Sequence, residues 1–211
     1  MTDAVEPHVF SAPLSVCVDV RHPLAYLALQ PVQDLARELG IDVDWLPFPA
    51  AGLKPPPAGD DRGSRHRRHR ARYQAEEIQR YAGVQGLTIG QPFRNDDTTA
   101  AALAHLWLRE HSPESVPDFL GELFRRFWDG SLDSADPRAV GALLEAHDTD
   151  VEKFQAFVRG PGPAALAALR ERLVAAGIFA VPSLVAADEV FVGRAHLPLV
   201  RRLLTEPSPG L

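Results

Sequence analysis

The sequence predicts an α/β protein whose two ends share one sheet, with a block of helices between them. Three observations carry that expectation. A strand, a helix and a second strand follow one another within about the first fifty residues, which is a β-α-β unit with a right-handed crossover. A long stretch of helical periodicity follows. The last forty or so residues then return to short apolar runs and close with a helix, so the order is β-α-β, helices, β-β-α.

Each element has a local cause. Leu14 to Val20 is short, β-branched and uncharged until Asp19, as a buried strand should be. Pro23 suits a first helical turn and Gly40 suits an exit, so a helix is expected between them, kinked or broken at Pro31. Ile41, Val43 and Trp45 alternate with Asp42 and Asp44 up to Pro47, which reads as the second strand. Pro55, Pro56, Pro57 and Gly59 make a loop of Phe48 to Ser64. Helices are expected over Arg65 to Ala82, Thr98 to His111, Val116 to Trp128, from Asp136-Pro137 to near His147, Val151 to Val158 and Pro163 to Ala176. Phe179 to Val185 and Val190 to Val192 read as strands, and Leu197 to Leu204 as the closing helix. The domain division is then 14–47 plus 178–204 for the sheet, 64–177 for the helical insertion, and 48–63 as a Pro-rich connecting loop.

Composition narrows the function classes. The 211 residues are 45% hydrophobic and 24% charged, which is ordinary for a globular chain. One cysteine, Cys17, leaves no dithiol pair, no disulfide framework and no Cys-rich zinc site. His66 and His69 have no local third ligand, so no metal is expected. No apolar run approaches a membrane span, and the acidic start from Met1 to Pro7 lacks a signal-peptide layout. A cytoplasmic protein without membrane contact is the expectation. The net charge is −6, yet six Arg and no acid lie between Arg62 and Arg72. That stripe sits on an otherwise acidic chain, which argues against nucleic acid as a partner.

Several segments, taken in order, resemble one family. Asp19-Val-Arg-His-Pro23-Leu-Ala-Tyr26-Leu27-Ala28 is similar to a strand-to-helix turn of the form D-F-x-S-P-x-x-Y-L-A. Arg70-Ala-Arg-Tyr73 through Arg80-Tyr81-Ala82 resembles the helix after that family's first loop. Gly177-Ile-Phe-Ala-Val-Pro182-Ser-Leu resembles G-V-F-G-V-P-T-F, and Val190-Phe-Val-Gly193 with Leu197 resembles its last strand and final helix. The family is the DsbA-like superfamily, in its 2-hydroxychromene-2-carboxylate isomerase and kappa-class glutathione transferase branch. The resemblance implies a thioredoxin-like fold, interrupted by the helical insertion, and a homodimer acting on a small, electrophilic or carboxylated molecule with glutathione as cofactor. It also implies a cis Val181–Pro182 bond whose edge pairs an extended ligand.

Candidate site residues follow. His22 stands where the family has serine, at a helix N-terminus whose dipole disfavours a charged imidazole, and is the candidate catalytic group. Arg21, Pro23, Val181, Pro182, Ser183, Arg70, Asn95 and His196 are candidate substrate- or cofactor-binding residues. Ala195 and His196 stand where the family has an Asp-Arg pair. Two readings therefore stay open: a glutathione-dependent isomerase or transferase, and a glutathione-independent ligand-binding or catalytically degenerate protein whose oxidoreductase kinship is ancestral. Cys17 reads as a buried hydrophobe, Tyr26 as a packing residue, and Trp45, Trp107 and Trp128 as core or interface.

Overall fold

A computed structural model describes residues 9–10, 12–147 and 149–206. Its sheet has four strands in the order β2-β1-β3-β4. These are β1 (Leu14–Val18), β2 (Val43–Pro47), β3 (Ser183–Ala186) and β4 (Glu189–Val192). β1 and β2 run parallel, and β3 is antiparallel to both β1 and β4. All five residues of β1 are buried, which is why that strand reads as an unbroken apolar run. The two ends of the chain thus meet as expected, and β1 is hydrogen-bonded to a strand some 165 residues later in the chain, counting from Val18 to Ser183.

Helix α1 (Pro23–Leu39) begins on its proline and ends at Gly40, which takes the left-handed conformation (φ 64°) that glycine adopts at no steric cost. It does not break at Pro31. A proline in a helix removes the N–H that would bond the carbonyl four residues earlier. Here the orphaned Leu27 carbonyl accepts instead from Gln85 Nε2 at 3.1 Å. Gln85 is the last residue of α2 (Arg62–Gln85), so the proline defect becomes a docking point for the next helix.

α2 starts three residues earlier than the sequence suggested. Asp61 is its N-cap, accepting from the Ser64 N–H at 3.0 Å and from the Ser64 hydroxyl. Only Ser64, Ala71, Ile78 and Ala82 are buried along its 24 residues, a narrow seam facing α1. The other helices are α3 (Thr99–His111), α4 (Val116–Asp129), α5 (Pro137–Leu144), α6 (Val151–Arg159) and α7 (Gly162–Ala175). They pack around α3, and α3 also packs on β2. The spacing of Phe119, Leu120, Leu123, Phe124 and Phe127 on α4 does what it predicts, since all five are buried. α8 (Leu197–Thr205) closes the chain against β3 and α1.

Several strand boundaries differ from expectation, three of them by two residues or more. β1 ends at Val18, before Asp19, and β2 starts at Val43 rather than Ile41. β3 begins at Ser183 rather than Phe179, because Pro182 has no N–H to give a ladder. No helix among the described residues is long and apolar enough to cross a membrane.

Candidate functional site

The site is built where β1 ends. Asp19 is buried, and its carboxylate collects four donors. Oδ1 accepts the Arg21 N–H at 2.9 Å and the Thr98 hydroxyl at 3.3 Å. Oδ2 accepts the Ala50 N–H at 2.8 Å and Arg21 Nη2 at 3.3 Å. The Arg21 guanidinium also donates to the carbonyls of Asp96, at 3.0 Å, and Ala50. One acid and one arginine therefore join the strand end, the loop after β2 and the loop before α3. Trp128 adds a fourth tie, donating its indole N–H to the Val20 carbonyl at 3.0 Å. Gly52 lets the two loops close on each other, since a Cβ there would stand 2.5 Å from the Arg94 carbonyl.

This frame presents His22. It is the N-cap of α1 in extended backbone (φ −96°, ψ 111°), and its side chain makes no capping bond. Pro23 has no N–H, and the N–H groups of Ala25 and Tyr26 both turn to the His22 carbonyl. Leu24 is left with the one first-turn N–H lacking an acceptor among the described residues. Burial, then the neighbouring Arg21 charge, pushes the His22 pKa down to about 4. The imidazole is neutral at pH 7, and its Nδ1 is buried without a hydrogen-bond partner. The cavity behind the turn, lined by Asp19, Thr98 and His105 among others, is only about 10 Å³.

The β1–β3 register supplies the opposite wall. Cys17 pairs with Ser183, so one step further along the two strands Pro182 lies beside Val18. The Val181–Pro182 bond is cis, as the sequence resemblance implied. Val181 is 4% exposed, and its N–H and C=O enter no hydrogen bond among the described residues. Ser183 is buried and donates its hydroxyl to the Ala180 carbonyl at 2.7 Å. Phe179, by contrast, is 77% exposed.

Tertiary structure thus gathers Arg21, His22 and Pro23 with Val181, Pro182 and Ser183 at one end of two paired strands. The other candidates are less directly placed. Arg21 already has three protein acceptors. Asn95 is exposed, on a loop that Arg21 holds through the Asp96 carbonyl. His196 is exposed beside the Phe191 ring, in a 3-10 turn that follows Gly193, whose N–H bonds the Pro182 carbonyl at 2.8 Å. Arg70 is exposed on α2 and makes no contact with His22 among the described residues. Within the arginine stripe, Arg68 and Arg65 donate to the loop before α2, Arg67 to Ser64, and Arg72 pairs with Glu76. Cys17 is buried, with its thiol pushed up to about 12 chiefly by desolvation, so it is no nucleophile. No cluster of three metal-ligating side chains occurs among the described residues.

Sequence reasoning passed over Asp19, Thr98 and Trp128 as parts of this site. Asp19 had a legible signal, an acid at the end of a strand otherwise free of charge. Trp128 and Thr98 had none, because their partners lie more than seventy positions away.

A four-stranded mixed sheet with α1 leaving β1 beside a cis-proline strand defines a thioredoxin-like protein with a helical insertion. The match extends along the sequence: a profile of the DSBA-like thioredoxin domain covers residues 14–205. The chain belongs to that family. No curated protein matches it. Solved structures do. A 2-hydroxychromene-2-carboxylate isomerase superposes with a TM-score of 0.69 at 14% identity, over 89% of this chain and 91% of that one. A probable DsbA oxidoreductase from Streptomyces coelicolor gives 0.68 at 18% identity, over 95% and 93%. The cytosolic disulfide reductase DsbM from Pseudomonas aeruginosa, solved with GSH, gives 0.57 at 19% identity, over 91% and 92%. At these identities the likeness concerns the fold.

Proposed function

We propose that this chain binds glutathione at the α1 N-terminus and acts as an isomerase or transferase on a small electrophilic or carboxylated substrate. The observation that carries the reading is the neutral His22, whose side chain makes no hydrogen bond among the described residues, at the same end of β1 and β3 as the unpaired Val181 backbone. With one buried cysteine the chain cannot run dithiol exchange, which needs an attacking and a resolving thiol.

The residues fit the tripeptide chemically. Val181 offers a free N–H and C=O to an extended peptide backbone. Bound there, glutathione supplies a thiol that adds to a conjugated carbon of the substrate and leaves again after rotation about the former double bond. The neutral His22 imidazole takes the thiol proton and returns it when the thiol departs, so the ring ends unchanged. The Leu24 N–H and the α1 dipole favour the sulfur as an anion. Asp19 and Arg21 hold the turn rather than the ligand. A homodimer is part of the proposal, supported by Tyr73, Tyr81 and Val84 standing 58%, 43% and 85% exposed on α2.

Calorimetric titration with glutathione, on the protein and on His22→Ala, tests this. Saturable binding that weakens by about tenfold or more in the variant is expected. Absence of binding up to millimolar glutathione would overturn it. The second reading, a glutathione-free protein using His22 as a base or binding group, would then stand. The same unpartnered Nδ1 supports that reading, since it needs no thiol to act.

A further inference from the structure

A wide opening outside this site lies at the other end of the sheet. A groove of about 860 Å³ runs along β2, between the last turns of α1 and the α3–α4 connection. β2 is the edge strand on this side of the sheet.

Which backbone groups face the groove can be worked out from two hydrogen bonds. The Phe48 N–H bonds the Val18 carbonyl at 2.9 Å, so the even-numbered residues of this segment turn their backbone groups toward β1. The Trp45 carbonyl instead meets His105 Nε2 at 3.0 Å, so the odd-numbered residues turn theirs outward. Pro47, which has no N–H, falls on the outward side, where an edge strand tolerates it. α3 thus caps the edge at Trp45. One step back along the outward row, the N–H and C=O of Val43 face the groove without a hydrogen-bond partner among the described residues.

The rim is mainly acidic. Asp42, Glu110, Glu114 and Asp118 line the groove, are exposed, and make no ion pair among the described residues. The two arginines present are engaged: Arg109 clasps Asp44 at 2.6 and 2.7 Å, and Arg37 pairs with Asp34 at 2.7 Å. An open strand edge ringed by free carboxylates suits an extended chain with alternating cationic side chains. The chain's own first eight residues do not match, since they carry Asp3 and Glu6 and no Lys or Arg.

We propose that this groove is a docking site for an extended basic segment of another protein, added as a strand to β2 at Val43 and held by the acidic rim. The ladder supplies the backbone bonds, and the rim selects charge. The site is separate from His22 and independent of the glutathione reading.

The test is fluorescence anisotropy with labelled acetyl-Lys-Val-Arg-Val-Lys-amide. Saturable binding is expected, weakening about tenfold or more between low and high salt and in the double variant Asp42→Lys, Glu114→Lys. Both positions are exposed, and circular dichroism checks that the variant is folded. The same peptide N-methylated on alternate amides should lose binding, and amide exchange at Val43 should slow only with the unmethylated form. Equal binding of acetyl-Glu-Val-Glu-Val-Glu-amide, or of the methylated peptide, would overturn the proposal. So would a peptide-free dimer that the double variant breaks, because a second copy would then be the occupant.

Discussion

His22 and His105 share one electrostatic fate and differ in everything else. Burial is the main cause of both depressed pKa values, about 4 for His22 and about 3 for His105. His105 is enclosed in the core, and its Nε2–H donates to the Trp45 carbonyl at 3.0 Å, satisfying a buried acceptor on the edge of β2. His22 stands at the end of a strand with a buried ring nitrogen that satisfies nothing. A depressed pKa therefore marks burial in both, and what separates them is that the His105 ring bonds a backbone carbonyl while the His22 ring bonds nothing among the described residues.

The largest expected effect comes from removing the frame around His22. Asp19→Ala takes away the acceptor of four hydrogen bonds and leaves the Arg21 charge without its carboxylate, and should cost about 3–5 kcal/mol in denaturant unfolding. His105→Leu comes next. It strands the Trp45 carbonyl and should cost about 1–3 kcal/mol while leaving glutathione binding unchanged. Gln85→Ala should cost about 1 kcal/mol, because the Leu27 carbonyl opposite Pro31 loses its substitute donor. His22→Ala should change stability by less than about 1 kcal/mol, since its side chain makes no hydrogen bond among the described residues, yet weaken glutathione binding about tenfold or more. Equal losses of stability in His22→Ala and His105→Leu would erase the contrast.

Acid sharpens the same comparison. Both histidines hold protons less well folded than unfolded, where the value is 6.5. Between pH 6.5 and about 3 the unfolded chain binds more protons, so these groups contribute full stability above pH 6.5 and lose it progressively as pH falls. The melting temperature should drop over this window, and by less in His105→Leu. Ring-proton NMR should show His22 titrating near pH 4 in the folded protein, against 6.5 for a free imidazole. The smallest effect is at Cys17, which should resist thiol reagents until the protein unfolds.

Much of the architecture was legible in the residues. Apolar runs, caps and prolines act over one or two turns, so β1, α1 and α4 and the β-α-β, β-β-α order could be read directly. The segment around Val181-Pro182 pointed to its cis bond only through family resemblance. Where that reading slipped, a longer-range partner was responsible. Pro31 was expected to kink or break α1; the helix continues through it, and Gln85, fifty-four residues later, supplies the missing donor. The Asp61–Ser64 cap was local and legible, and could have moved the start of α2 to Arg62.

The sequence by itself determined the kind of molecule: a helix-inserted α/β chain with one inert cysteine, a histidine at the first helix and a proline at the third strand. It could do so because hydrophobic period, capping and composition are properties of neighbours in the chain. Tertiary structure alone decided that Arg21 belongs to the frame, that Val43 is left open on an acidic edge, and that His105 is tied to the Trp45 carbonyl while the His22 side chain is tied to nothing among the described residues. Those outcomes depend on which carbonyls and carboxylates arrive from distant loops, and hydrogen-bond satisfaction in a packed interior is settled only when all of them are in place.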